Sequence, residues 1–163
     1  MGVISFTEEF ASPVTAARMF KALILDSHNL VHKLMPQAIK SIQIIHGDGG
    51  PGTIKQINFA EGTRYRYMKH RIDALDVENC TYKYTMIEGD VLSDLKMEYI
   101  ASEVKFESSS ASNGGCVCKV NSEYHTVGDF EINEDDIRGA KERAIGVYKV
   151  VEAYLFENPA AYS

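Results

Sequence analysis

The chain has 163 residues, of which 45% are hydrophobic and 25% charged, and its formal net charge is −6. This length and composition are typical of one globular domain spanning residues 1–163, and they exclude a mostly disordered protein. The acidic balance disfavours a nucleic-acid binder that relies on a broad basic face. We therefore expect no specific nucleic-acid partner.

The N-terminus carries no targeting signal. MGVISFTEEF lacks the basic start and apolar stretch of a secretory leader. No apolar run approaches the ~20 residues that cross a bilayer. A cytoplasmic location without a membrane partner is predicted, and for the three cysteines a disulfide framework is not expected.

Residues 3–33 are predicted to form a strand and two short helices. The strand covers residues 3–10, and the first helix covers 15–25, where apolar residues recur at helical spacing. Asp26 or Ser27 can cap a second helix that reaches about Lys33.

From Ala38 to Tyr124 the apolar period shifts towards two, which indicates strands. Short consecutive strands with tight separators favour an antiparallel arrangement. The predicted strands are 38–45, 53–59, 64–73, 78–87, 95–106 and 116–125. The Ser/Gly-rich stretch 107–115 between the last two predicts a solvent loop.

The last predicted element is a long helix. Asn133 can cap it, acidic residues fill its first turn, and Pro159 lies just past its end. Its apolar stripe would run for ~35 Å at ~1.5 Å per residue. The class is therefore α+β, with a curved antiparallel sheet packed on the long helix and two short helices closing one end.

The strand alternation places many polar rings on faces that would point at this helix. These faces carry Tyr65 with Tyr67; Tyr82, Tyr84 and Met86; Lys55, Ile57 and Phe59; Ser102, Val104 and Phe106; and Cys116, Cys118, Val120, Ser122 and Tyr124. A dry core disfavours so many hydroxyl groups, because each one without a partner costs ~1–3 kcal/mol. The pattern predicts a large, amphipathic internal cavity of the kind that holds small molecules.

The stretch Gly47-Asp48-Gly49-Gly50-Pro51-Gly52 satisfies the G-x-G-x-x-G spacing. A strand-like segment follows it, whereas a dinucleotide site needs a helix there. The favoured interpretation is a hairpin loop in which glycines adopt positive φ, and the alternative is anion contact through backbone N–H groups.

Signals for metal binding or catalysis are sparse. His28 and His32 stand at i, i+4 spacing without a completing ligand pattern, so surface helix positions are expected and no metal is predicted. Cys116 and Cys118 are interpreted as two buried thiols. Glu98, Glu152 and Tyr154 could gather near one helix end as an acid/base group. Nothing in their spacing requires it, and a solvated face is the favoured interpretation.

Several segments in order resemble one family, the plant pathogenesis-related class-10 proteins typified by the major birch pollen allergen. The resembling segments are GVISFTEEF, ARMFKALILD, PQAIKS, GDGGPGTIK, KHRID, YTMIEGD, EYHTVGDFEI and VEAYLFENPAAYS. The resemblance implies a seven-stranded sheet wrapped around a long C-terminal helix. It also implies intracellular binding, storage or transport of flavonoids, cytokinins or other hormones, or fatty acids, without a cofactor and linked to defence and stress. We expect a monomer or a weak dimer whose partner is a small hydrophobic or phenolic ligand.

The resemblance also assigns residues by position. The implied pocket residues are Leu23, Ile24, Lys55, Ile57, Phe59, Tyr65, Tyr67, Tyr82, Tyr84, Met86, Val104, Cys118, Val120 and Arg143, with Gly47, Gly49, Gly50 and Gly52 in the glycine loop. A ribonuclease activity claimed for the family would fall on Lys55, Glu98, Glu152 and Tyr154. No catalytic set is firm.

Two departures and two alternatives accompany this assignment. Residues 90–103 carry an extra residue relative to the family, which leaves the register of strand 95–106 open, and Arg143 would favour an acidic or phenolic ligand. One alternative is an enzyme, either a weak ribonuclease or a small-molecule synthase, although Lys119 points outwards by alternation. The other is an abscisic acid-like hormone receptor that inhibits phosphatases, but the sequence lacks the loop motifs of those sensors.

Overall fold

The computed structural model describes residues 2–109, 114–128, 130–131 and 133–163. Seven strands form one antiparallel sheet in the spatial order β1-β7-β6-β5-β4-β3-β2. The strands are β1 (Val3–Ser12), β2 (Ile39–His46), β3 (Ile54–Phe59), β4 (Tyr67–Asp76), β5 (Thr81–Gly89), β6 (Met97–Ser109) and β7 (Gly115–Thr126). The sheet is therefore a meander from β2 to β7 that β1 completes beside β7, as predicted.

Within the described part of the chain, four α-helices accompany the sheet: α1 (Ala16–Phe20), α2 (Ser27–Leu34), α3 (Asp90–Leu95) and α4 (Glu134–Glu157). A π-helical turn, Lys21–Leu25, continues α1. Within the described ranges, no helix is both long and apolar enough to cross a membrane.

The long helix α4 begins where the sequence predicts. The side chain of Asn133 accepts a hydrogen bond of 2.9 Å from the backbone N–H of Asp135. Glu134, Asp135 and Asp136 occupy the first turn, where negative charge stabilises the positive end of the helix dipole. The helix ends at Glu157, and its 24 residues give it a length of about 36 Å.

Strand alternation separates a charged outer face from a mixed inner face. On the outer face, cross-strand ion pairs join Lys69 to Glu88 at 3.0 Å and Lys119 to Glu107 at 3.0 Å. Because side chains of successive residues point to opposite faces, the residues between these charges point towards α4. These ion pairs therefore establish, for β4 and β5 as well as for β6 and β7, which side chains point outwards and which point towards α4.

The buried core consists of two clusters at opposite ends of the sheet. The larger one joins α1, the π-turn and α2 to strands β2 to β7 and to Val151 and Leu155 of α4. The smaller one joins α3 to Met97, Ile100 and Tyr124, and it includes Ile137 near the start of α4. The long helix is therefore anchored near both of its ends.

Four local features differ from the predicted pattern. The predicted helix 15–25 is α1 followed by the π-turn, and the irregular segment from Asp90 forms α3, which delays the start of β6 to Met97. The predicted strand 64–73 begins only at Tyr67. The predicted loop 107–115 starts later, because β6 extends to Ser109, and its centre, residues 110–113, lies outside the described residues.

Candidate ligand-binding cavity

A row of polar side chains crosses the inner face of the sheet from β3 to β7. Lys55 pairs in register with His70, and the imidazole of His70 stacks on the ring of Tyr84 with 4.6 Å between centroids. Tyr84 lies opposite Ser102, which in turn lies opposite Ser122. We call these five residues the polar belt, and it gives an otherwise apolar wall several hydrogen-bonding groups.

Lys55 is the one cation of the belt, and it is buried with 7% of its surface exposed. Its Nζ donates to the backbone carbonyl of Ile24 at 3.3 Å and to Oγ of Ser27 at 3.4 Å. It also lies 5.9 Å from the centroid of the Tyr82 ring. Burial lowers the pKa of Lys55, because desolvation disfavours its charged form.

The two rings of the belt, His70 and Tyr84, form a stack with the neighbouring ring of Tyr82. The Tyr82 and Tyr84 rings lie 5.3 Å apart at an interplanar angle of 28°, and His70 stacks on the other side of this pair. Burial raises the pKa of both phenols and, together with the charge of Lys55, lowers the pKa of His70 to about 4. All three rings are therefore neutral near pH 7.

The middle of α4 does not fill the space above this belt. From residue 138 to residue 150 no side chain of the helix is fully buried, whereas Ile137 and Val151 at either end are. Tyr148 is only half-buried by surface area, yet burial raises its pKa well above the usual value. A ring that is desolvated but still has accessible surface faces an internal space, here the space between the helix and the sheet.

Among the described residues, two depressions lie beside opposite edges of the sheet. One is a cavity of about 240 Å³ whose walls include Lys55, Ile72 and Tyr82 from the inner face. The other is a groove of about 400 Å³ between β1 and the first half of α4, with Phe6 and Ile137 in its walls. The first of these cavities touches the polar belt at Lys55, which forms part of its wall.

Most of the residues expected in the pocket lie on the inner side. The structure places Leu23, Ile24, Lys55, Ile57, Tyr82, Val104 and Cys118 there as buried side chains, and Phe59, Tyr84, Met86 and Val120 as half-buried ones. Val104 is 0% exposed, so the register of β6 left open by the sequence is the one that turns this residue inwards.

Tyr67 is the exception, and its expected position in the pocket is wrong. Its hydroxyl donates to the carboxylate of Glu88 at 2.8 Å in an exposed pair on the outer face. Tyr65 precedes β4 and is buried beside α3, where its hydroxyl donates to Asp94 at 2.9 Å. The two tyrosines do not share a strand face, because strand alternation starts only at Tyr67.

Arg143 lies at the rim of the inner space and is exposed. Its guanidinium stands 5.6 Å from the centroid of the Tyr65 ring, and that of Arg64 stands 5.4 Å from the same ring. This cation-π arrangement places Arg143 above the smaller core cluster and away from Lys55.

The glycine loop is a hairpin connection between β2 and β3, which is the favoured interpretation from the sequence. Gly47, Gly49 and Gly52 adopt positive φ values of 94°, 102° and 90°, whereas Gly50 does not have a positive φ. The N–H groups of Gly49, Gly50 and Gly52 already donate to Thr53, Asp48 and Ile72. These amides are not free to hold an anion.

The two carboxylates considered for catalysis, Glu98 and Glu152, are not brought together. Burial, and next the charge of Glu152, raise the pKa of the Cys116 thiol, so Glu152 lies near the start of β7. Cys116 pairs with Ser108, and Ser108 and Glu98 belong to opposite ends of β6, roughly 30 Å apart along an extended strand. Glu98 is therefore distant from Glu152.

The remaining candidates behave as structural residues. Lys119 points outwards, as expected, and pairs with Glu107 and Glu9. Cys116 and Cys118 are free thiols with 0% exposure on the inner face. Among the described residues, no group of three histidine, cysteine or carboxylate side chains could hold a metal ion.

His70 is the site residue that the sequence did not reveal. The signal was available in the strand phase, because Met68, His70 and Ile72 alternate with the outer residues Tyr67, Lys69 and Arg71. Placing Tyr65 and Tyr67 on the inner face of this strand assigns His70 to the outer face.

A curved antiparallel sheet that holds a long C-terminal helix over a partly polar hollow defines the helix-grip class of folds. The chain belongs to the Pathogenesis-related protein Bet v 1 family, which matches residues 1–158. It is 48% identical to the major allergen Pru ar 1 of Prunus armeniaca over 163 residues, which is 100% of both chains. This confirms the resemblance to the class-10 pathogenesis-related proteins.

Solved structures confirm the fold. The crystal structure of Ara h 8.0201 superposes with a TM-score of 0.86 at 36% identity, covering 96% of this chain and 99% of that one. Norcoclaurine synthase from Thalictrum flavum, in complex with dopamine and hydroxybenzaldehyde, gives a TM-score of 0.71 at 22% identity, covering 96% of this chain and 88% of that one. The second likeness shows a shared fold only.

Proposed function

We propose that this protein is a cytoplasmic carrier or reservoir for small hydrophobic plant molecules such as flavonoids, cytokinins or fatty acids, in the context of defence. The observation that carries the proposal is the polar belt, which sets a cation, an imidazole and hydroxyl groups into an apolar wall. Ligand sites are typically concave and apolar with a few convergent polar groups. The family membership and the dopamine and hydroxybenzaldehyde complex of norcoclaurine synthase agree with a small phenolic ligand.

The enzyme and receptor alternatives have no comparable support. The ribonuclease set lacks a common site, because Glu98 lies far from Glu152. The lysine considered for synthase chemistry, Lys119, is engaged with carboxylates on the outer face. The loop after β3 forms a turn stabilised by the Thr63 hydroxyl on the carbonyl of Ala60, and no feature of it favours a receptor.

The binding proposal is tested by displacement of a neutral fluorescent probe, N-phenyl-1-naphthylamine. We expect the probe to bind with a Kd in the micromolar range, about −8 kcal/mol, and to be displaced by a flavonoid such as quercetin or a cytokinin such as kinetin. If the probe binds but none of these plant compounds displaces it, the carrier function fails.

A matched pair of variants locates the site. Val120 is half-buried on the inner face of β7, and its neighbour Asn121 is exposed on the outer face. Val120→Trp should fill the cavity and weaken probe binding at least about tenfold, whereas Asn121→Trp should leave it unchanged. Equal effects of both substitutions would place the probe elsewhere.

A further inference from the structure

The polar belt contains one buried group with an unused hydrogen-bonding atom. Nε2 of His70 is buried and has no hydrogen-bond partner among the described residues. A buried nitrogen without a partner is destabilising, because it has lost its hydrogen bonds to water, so its position calls for a ligand atom that pairs with it. Lys55 lies directly opposite His70 on the neighbouring strand, and its charge, not that of a carboxylate, acts on this imidazole.

Lys55 and His70 are directly opposite each other on β3 and β4, and the charge of Lys55 helps to lower the pKa of His70. Two neighbouring basic groups disfavour each other's charged forms while the site is empty. An anion placed between them would remove this penalty for both groups. The pair therefore favours a negatively charged ligand atom over a neutral one.

The other charged and titratable groups around His70 do not supply that anion. From β5, the rings of Tyr82 and Tyr84 face it, and burial keeps both phenols neutral. The 240 Å³ cavity that reaches Lys55 also includes His28 of α2 and Asp48 of the glycine loop. Asp48 is exposed and already accepts a hydrogen bond from the N–H of Gly50.

We propose that the cavity selects an aromatic carboxylate, whose carboxylate group binds between Nζ of Lys55 and Nε2 of His70 while its ring lies against the stacked tyrosines. This inference rests on the proposed function and names the ligand class for the same cavity. On binding, the neutral imidazole of His70 takes up one proton from solvent and becomes a donor to the carboxylate. Lys55 and His70 then both make charge-assisted hydrogen bonds, which are about twice as strong as neutral ones.

The test compares 2-naphthoate with 2-naphthamide, two flat ligands of similar size that differ in charge. Calorimetric titrations at about pH 6, in two buffers of different ionisation enthalpy, give the affinity and the number of protons taken up. We expect naphthoate to bind about tenfold more tightly than naphthamide, with net proton uptake for naphthoate alone. The affinity for naphthoate should rise as the pH falls from about 8 to about 6, because the bound carboxylate raises the pKa of His70.

His70→Phe keeps a ring on Tyr84 but removes both nitrogens, and it should abolish proton uptake and reduce the preference for naphthoate below about threefold. The matched control is His125→Phe. His125 also stacks on a tyrosine, Tyr99, at 4.1 Å between centroids, but it is cross-strand to the exposed Val3 on the outer face. This control should behave like the unaltered protein.

Equal affinities for the two ligands, or tighter binding of naphthoate without proton uptake, would overturn the inference. Either result leaves the carrier function standing, since the neutral probe tests that separately. If neither naphthalene compound binds, the inference is also overturned. The proposed carrier function is contradicted only if the neutral probe fails as well. Proton uptake by the unaltered chain decides the question even where His70→Phe does not fold.

Discussion

The phenol of Tyr162, next to the last residue of the chain, donates a hydrogen bond to the carboxylate of Asp26 at the start of α2. Burial alone would raise the pKa of Asp26, but the hydrogen bonds from Tyr162 and Asn29 outweigh it and hold the pKa below its usual range. The contact closes the C-terminal segment over the two short helices that end the cavity.

We expect Tyr162→Phe to destabilise the protein by roughly 1 kcal/mol at neutral pH, because the carboxylate loses a donor. The pKa of Asp26 is lowered in the folded state, so this contribution is complete above the unfolded value of about 4 and is lost as the pH falls through the folded pKa. Urea unfolding at about pH 7 and about pH 3 should show a smaller difference between the two proteins at the lower pH.

The control for this substitution is Tyr67→Phe, which removes the exposed phenol–carboxylate bond to Glu88. An exposed pair of this kind contributes little, so the unfolding free energy should change much less than it does for Tyr162→Phe. A larger loss for Tyr67→Phe than for Tyr162→Phe would contradict a fastening role for the C-terminal contact.

Arg18 makes the second attachment of the C-terminal segment. Its guanidinium donates to the backbone carbonyls of Leu155, Asn158 and Ala161 at 3.0, 2.9 and 3.0 Å. Arg18→Met preserves most of the aliphatic stem but leaves these carbonyls without their donor, and it should cost about 1–3 kcal/mol in urea unfolding. Arg138→Met, which removes an exposed ion pair with Asp135, should cost less than about 0.5 kcal/mol.

The fold was predictable from the sequence because its signals are local and agree with one another. The alternating residues of β5 and β7 point inwards as the pattern predicts, and Asn133 caps α4. The prediction of which side chains point inwards is wrong for β4, because the predicted strand 64–73 begins three residues before the observed one. Placing Tyr65 and Tyr67 on one strand turned Tyr67 inwards and left His70 outside the site.

Other parts of the structure depend on tertiary contacts that no short pattern carries. The helical spacing of residues 15–25 is compatible with both α and π geometry, and only packing against the sheet decides between them. Helix α3 is short, and its side chains Val91, Leu92 and Leu95 are fixed by the smaller core cluster. The unpartnered nitrogen of His70 emerges only from the complete set of neighbours around it.

Gly47 and Gly49 offer a direct test of why the glycine loop needs its glycines. Both have positive φ, but a Cβ at Gly47 would lie 2.6 Å from Oγ1 and 2.8 Å from Cα of Thr53, whereas a Cβ at Gly49 meets nothing within 4 Å. Gly49→Ala should cost roughly 1–3 kcal/mol from backbone strain. Gly47→Ala should cost at least about 1 kcal/mol more, because the clash with Thr53 is added.

Urea unfolding of the two glycine variants measures that difference. Thr53 is 0% exposed, so its backbone cannot move aside without disturbing the pairing of Gly52 with Ile72. Equal costs for the two alanines would mean that backbone conformation alone explains the loop, and that the close approach of Thr53 is relieved at no cost.

The three cysteines should differ in reactivity although all are free. Burial raises the pKa of Cys116 to about 11 and of Cys118 to about 12. Cys80 is only half-buried, so a reagent can reach its thiol more easily than the other two. At about pH 8 the thiolate fraction of the two buried residues is then negligible. Iodoacetamide should therefore modify Cys80 first, and Cys116 and Cys118 only on unfolding.

Mass spectrometry of tryptic peptides, taken over time with and without urea, reads out this order. Cys80→Ser should leave the folded protein almost unmodified and should not change the alkylation of the other two thiols in urea. Fast modification of Cys118 in the folded state would show that reagent-sized molecules enter the cavity and that a thiolate forms there. That result would contradict the apolar, desolvated wall that the position of Cys118 on the inner face of β7 implies.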